Sequence, residues 1–149
     1  MSTDTSDLSS TIHLTMELTG AYEFRVRVDG ENAHEFVSGE GPPLGAPGTT
    51  SASEMLGASI ATCLASSFLF CAQKARVHVE KLGADVRVAM ARNAKGRLRI
   101  RSVSVALDAH APADEHERIA RCREIFEEYC VVTESVRAGI PVDVALRVT

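Results

Sequence analysis

The chain reads as an α+β domain in the order βββ–α–ββ–α–α–β, with antiparallel sheets around one long buried central helix. Three observations predict this. Met55–Ala72, inside the run Ser51–Arg76, carries no charge and no proline. Segments on both sides of it alternate apolar and polar residues with the period of a strand. Asp29-Gly30 is a strong hairpin signal between two such segments.

The first strands follow a polar stretch expected to be a disordered tail over residues 1–10, which leaves 11–149 as a single domain. Thr11–Leu18 sets Ile12, Leu14, Met16 and Leu18 against His13, Thr15 and Glu17. Tyr22–Val28 sets Phe24, Val26 and Val28 against Glu23, Arg25 and Arg27, and Asn32–Val37 is a third strand. Together they predict a meander with one wet face. Ser38–Thr50 is rich in glycine and proline and is expected as a long loop, more a binding element than a connector. Leu44 in its middle is a candidate for covering something apolar.

The central helix opens with Ser51-Ala-Ser-Glu54, a capping-box pattern. Lys74 and Arg76 suit its C-terminal end. A helix apolar on every side is surrounded by protein or by lipid. The small and polar content (Gly57, Ser59, Thr62, Ser66, Ser67) and the apolar faces of the flanking segments favour protein over membrane.

Gly83–Arg92 and Arg97–Leu107 follow as strands around the turn Asn93–Gly96, with a change of apolar phase that predicts a bulge near Ser102. A helix runs from Pro112 to about Tyr129, with Ile119, Cys122, Phe126 and Tyr129 on one stripe. A short helix from Thr133 closes at Gly139, and the last strand alternates Ile140, Val142, Val144, Leu146 and Val148.

Composition excludes several classes. The net charge of −4 argues against a nucleic-acid partner. The opening residues show no signal-peptide pattern, so a cytoplasmic location is expected. In that compartment four cysteines point to reactivity or core packing before structural disulfides. Cys63 and Cys71 stand eight residues apart, as do Cys122 and Cys130. Along one helix that is roughly 12 Å, and a disulfide needs Cα atoms within about 7 Å. Any bridge therefore joins a member of the first pair to a member of the second. The spacing matches no zinc signature, no metal or other cofactor is expected, and the five histidines are scattered. Cys122 reads as a packed core thiol, and Cys130 lies at a helix junction.

From Gly39 onward the sequence resembles the OsmC/Ohr family, the osmotically induced and organic hydroperoxide resistance proteins. The likeness rests on the loop GEGPPLGAPG, on SEMLGASIATC with Glu54 nine residues before Cys63, and on YCVVTESVRAGIPVDV before a terminal strand. It implies an intertwined homodimer and, in active members, a thiol peroxidase that takes organic hydroperoxides and is recycled by an external dithiol. Cys63 would match the peroxidatic cysteine, Cys130 the resolving one, and Glu54 the glutamate that orients the site. Leu44, Met55, Leu56 and Phe68 would form the apolar substrate pocket. The sequence departs from the family where active members carry an arginine in the first hairpin, since Tyr22 stands there. Arg25 and Arg27 are the nearest replacements, reaching the site across a dimer interface. Nine residues also put Glu54 and Cys63 on opposite faces of a straight helix. These departures give the alternative reading, a weak or inactive family member binding an apolar ligand in the same cleft.

Overall fold

The computed structural model describes residues 10–149. All but Ser10 of the expected disordered tail lies outside them. The chain divides into two compact units, Met1–Met55 and Leu56–Thr149.

In the first unit, β1 (Leu14–Gly20), β2 (Glu23–Val28) and β3 (His34–Gly39) form an antiparallel sheet in that order. The register sets Leu14, Met16 and Leu18 beside Val28, Val26 and Phe24, so the alternating apolar residues share a face. Val26 is buried, but Leu14, Met16 and Leu18 are exposed. The expected dry face is thus only partly covered within one chain. Tyr22 turns the first hairpin at φ 55°. Its carbonyl accepts from Glu40 N–H at 2.9 Å and lies so close to Gly39 that a Cβ there would collide with it. The proline- and glycine-rich loop that follows β3 is tied to β3 by the bond from Gly39 N–H to the Thr50 carbonyl.

Helix α1 (Ala52–Lys74) carries the expected capping box. Glu54 N–H donates to Ser51 Oγ at 3.3 Å, and Ser51 Oγ donates to Glu54 Oε1 at 3.0 Å. At the far end Arg76 adopts φ 58° and Val77 N–H donates back to the Ala72 carbonyl, with Val77 buried. This is a Schellman-type stop in which Arg76 takes the left-handed position usually held by glycine and Val77 supplies the hydrophobic contact. By length and composition α1 is apolar enough to cross a membrane. Its Gly57, Ile60, Ala61, Leu64, Phe68 and Ala72 are nevertheless buried in protein. The opposite side is open, with Leu69 and Phe70 exposed. The expectation of a helix wrapped all round is corrected to a helix covered along one stripe, because one chain supplies only one layer of cover.

In the second unit, β4 (Lys81–Arg92) and β5 (Leu98–His110) pair antiparallel. Ala89 pairs with Ser102 and Met90 with Ile100, leaving Arg101 as the extra residue of the expected bulge. The bulge resets the phase, so Val103, Val105 and Leu107 pack against the core of Ile60, Leu64 and Cys130. Gly57 lets the helix approach β4, since a Cβ there would lie 2.7 Å from Val88 Cγ2.

The expected helix from Pro112 to Tyr129 is broken into a 3₁₀ turn, α2 (His116–Ile125) and a second 3₁₀ turn over Phe126–Tyr129. Of the expected stripe, Cys122 is buried and Ile119 and Phe126 half-buried, but Tyr129 is exposed because the tighter turn rotates it off the face. Helix α3 (Val131–Ala138) ends at Gly139, φ 81°. The expected last strand does not form within the chain. Among the described residues, 140–149 pair with no strand, and Val142, Val144, Leu146 and Val148 are each more than 80% exposed. Alternation prepares a segment for one-sided burial, but a strand also needs a free edge to pair with.

Candidate active site

Cys63 lies midway along α1 and is half-buried. Cys130 is fully buried. It sits at the junction between the second 3₁₀ turn and α3, with the extended backbone of an N-cap residue. The two thiols are neighbours: Cys63 packs against the core cluster that contains Cys130, and each acts on the other's titration. All four cysteines are reduced.

Both sulfurs face the beginning of α3. The free backbone amides of Val131 and Val132 lower the Cys63 thiol, and those of Val132 and Thr133 lower the Cys130 thiol. Cys130 Sγ also donates to Thr133 Oγ1 at 2.9 Å. A helix N-terminus with free amides stabilises an anion placed on it. Burial pushes the Cys63 thiol up, and its bond to Cys130 adds to that, against the two α3 amides. Burial also pushes the Cys130 thiol up, but the Thr133 hydroxyl, Cys63 and the α3 amides outweigh it and bring it below the ordinary value. The two titrate as a unit, and the first proton leaves from Cys130, the sulfur with the larger set of donors. No guanidinium stands among the groups that act most strongly on Cys63.

The remaining predicted site residues are placed as follows. Leu56 packs against the core beside Cys63 and lines a cavity of about 330 Å³ with Ile60, Val103, Thr133 and Val136. Arg101 and Arg137 border the same cavity, and Arg137 is held by Glu127 at 2.8 Å and Glu134 at 2.6 Å. Phe68 is buried and lines a second cavity of about 480 Å³ with Leu107, Ile119 and Phe126, bordered by His116 and Arg123. Leu44 and Met55 belong to the first unit, Leu44 half exposed in its loop and Met55 half-buried. Glu54 is exposed and bound to Ser51. Arg25 and Arg27 stand on the wet face of β2 as that alternation predicts. Arg25 pairs with Glu17 at 3.2 Å and Arg27 with Glu35 at 2.8 Å, each across its ladder.

Sequence reasoning missed Thr133 and the amides of Val131 and Val132. A readable signal was present. Placing the helix start directly after Cys130 makes that cysteine the N-cap and puts Thr133 at the third helical position, in reach of its sulfur.

The fold has solved counterparts. An OsmC-like protein from Vibrio cholerae superposes with a TM-score of 0.72 at 14% identity, over 85% of this chain and 93% of that one. An OsmC-like protein from Mycoplasma pneumoniae gives 0.71 at 16%, over 87% and 89%. The organic hydroperoxide resistance protein OhrB of Bacillus subtilis gives 0.57 at 16%, over 86% and 91%. At such identities the likeness establishes the fold. No curated protein matches. The family model described as OsmC-like protein matches residues 45–145, more than half of the chain and the whole of the dithiol site, and the chain belongs to that family.

Proposed function

We propose that the protein is a two-cysteine thiol peroxidase for organic hydroperoxides, acting as a cytoplasmic homodimer. The observation that carries this reading is the contact of Cys63 with Cys130 at the amide end of α3. Family membership and neighbours named for organic hydroperoxide resistance support the peroxidase class.

The chemistry begins from the monoanion of the pair. The Cys130 thiolate takes the proton of Cys63, and the Cys63 thiolate attacks the outer oxygen of the hydroperoxide. The O–O bond breaks, Cys63 becomes a sulfenic acid, and the departing alkoxide takes the proton back from Cys130 to leave as alcohol. Cys130, again a thiolate, attacks the Cys63 sulfur, and hydroxide leaves as the disulfide closes. An external dithiol reopens it by exchange. The α3 amides hold the negative charge that a cation would otherwise hold. Arg25 or Arg27 serves as a further charge only from a partner copy, after exchanging its glutamate. Glu54 likewise acts only by leaving Ser51. The cavity beside Leu56 and Thr133 suits an alkyl chain.

Replacing Cys63 by serine abolishes turnover of cumene hydroperoxide with a dithiol. Replacing Cys130 by serine leaves a single burst and a sulfenic acid trapped by dimedone. Undiminished turnover in the Cys63 variant overturns the reading.

The raised Cys63 thiol favours a second reading, a dimer that binds an apolar ligand without turning over peroxide. Cys63 left reduced by excess peroxide, together with saturable binding of a fatty-acid probe, selects it.

A further inference from the structure

Cys71 and Cys122 form a second thiol–thiol contact, remote from the first. Cys71 lies half-buried one turn beyond Phe68 near the end of α1, and Cys122 lies buried on α2 one turn before Phe126, so the Phe68–Phe126 contact brings the two thiols to the same face, where Cys71 acts on the Cys122 thiol. The contact is part of a register. Going up α1, Cys63 meets Cys130, Phe68 meets Phe126, and Cys71 meets Cys122, so the partners run antiparallel. Phe68 and Phe126 meet edge-on with centroids 5.8 Å apart, between the two sulfur pairs, and fix the alignment of the elements that carry them. The two cysteine pairs are spaced eight residues apart in both halves of the chain, which matches such a register.

We propose that Cys71 and Cys122 are a second redox couple, which closes to a disulfide latch between α1 and α2 independently of the Cys63–Cys130 pair. About two turns of helix, roughly 12 Å, separate the couples along α1, too far for direct exchange between them. The oxidant is a hydroperoxide. The Cys71 thiolate attacks its outer oxygen, the O–O bond breaks, and the protonated alkoxide leaves as alcohol, with Cys71 oxidised to a sulfenic acid. The Cys122 sulfur attacks Cys71, the S–O bond breaks, and hydroxide takes the Cys122 proton to leave as water. Two thiols are oxidised and one peroxide bond is reduced. The latch ties the end of α1 to α2 and holds in place the helices that align Cys63 with Cys130. Cys71 is only half-buried and is the sulfur that a hydroperoxide can reach, whereas Cys122 is buried, with its thiol pushed up to about 11, and is the resolving partner.

The test uses the full chain carrying Cys63→Ser and Cys130→Ser, so that its result is separate from the peroxidase reading. The reduced protein is treated with tert-butyl hydroperoxide, blocked with N-ethylmaleimide and digested with trypsin. The expected result is a peptide containing Cys71 linked to the dipeptide Cys122-Arg123, lost on dithiothreitol treatment, and a Tm higher in the oxidised than the reduced protein. Full alkylation of both cysteines after oxidation overturns the proposal, as does Cys71 sulfinic acid with free Cys122. If circular dichroism shows the double variant unfolded, the links are mapped in the wild-type chain after a further chymotryptic digest, because trypsin leaves Cys63 and Cys71 on one peptide and chymotrypsin cuts between them at Phe68 and Phe70. There a Cys71–Cys122 link supports the latch, and a Cys63–Cys130 link with Cys71 and Cys122 alkylated overturns it.

Discussion

Cys130 Sγ donates to Thr133 Oγ1 at 2.9 Å, both side chains buried, across the first turn of α3. Once Cys130 is deprotonated the same hydroxyl turns to donate to the thiolate, and this is the largest of the influences that bring the Cys130 thiol down against its burial. Thr133→Val keeps the shape and removes the bond. A hydrogen bond of about 1 kcal/mol corresponds to roughly fivefold in thiolate population, so the iodoacetamide reactivity of the pair falls by about that factor at neutral pH. Its pH profile moves to higher pH. An unchanged profile means that the amides alone set the titration.

Cys122 gives a stability prediction of the opposite sign. Burial, followed by the influence of the neighbouring Cys71, raises its thiol from 9.0 to about 11. Its folded value lies above its unfolded one, so the contribution is fully present below pH 9 and is lost as pH rises from about 9 to about 11. The loss over that window is on the order of 2 kcal/mol. Urea midpoints of the reduced protein fall across it, and those of Cys122→Ala stay flatter.

Gly57 sits where α1 crosses β4. Alanine there gains about 1 kcal/mol of helix propensity, but its Cβ would lie 2.7 Å from Val88 Cγ2. Overpacking costs about 1–3 kcal/mol, and the β-branched Val88 has little rotamer freedom with which to yield. Gly57→Ala therefore lowers stability by about 1 kcal/mol, read as a lower urea midpoint, and Gly57→Ala with Val88→Ala recovers part of it.

The open apolar surfaces predict how copies meet. Val144 is 87% exposed on a segment whose alternation suits an added strand, and β1 exposes Leu14, Met16 and Leu18. In the proposed homodimer these are covered. Val144→Asp places a charge in that cover, and sedimentation shows the variant shifted toward monomer by at least tenfold in dissociation constant, on the order of the cost of burying an unpaired charge. A variant that stays as dimeric as the wild type places the interface elsewhere.

Much of this protein was legible in the residues themselves. Period-two alternation and Asp29-Gly30 determined the meander, the uncharged run determined α1, Ser51 and Glu54 its start, and the phase change the bulge of β5 near Ser102, which falls at Arg101. These are local signals, set by side-chain direction and backbone preference within a few residues. The motifs around Cys63 and Cys130 carried the family, but eight-residue spacing left two cross-pairings of the four thiols equally open. Packing decided between them, because only the antiparallel register fixed by Phe68 on Phe126 puts Cys63 beside Cys130 and Cys71 beside Cys122. Packing also showed that the free amides of α3 act on both sulfurs, and that Val144 and its neighbours pair with no strand among the described residues. Contacts between residues distant along the chain depend on how whole elements seat against each other, and no stretch of sequence encodes that by itself.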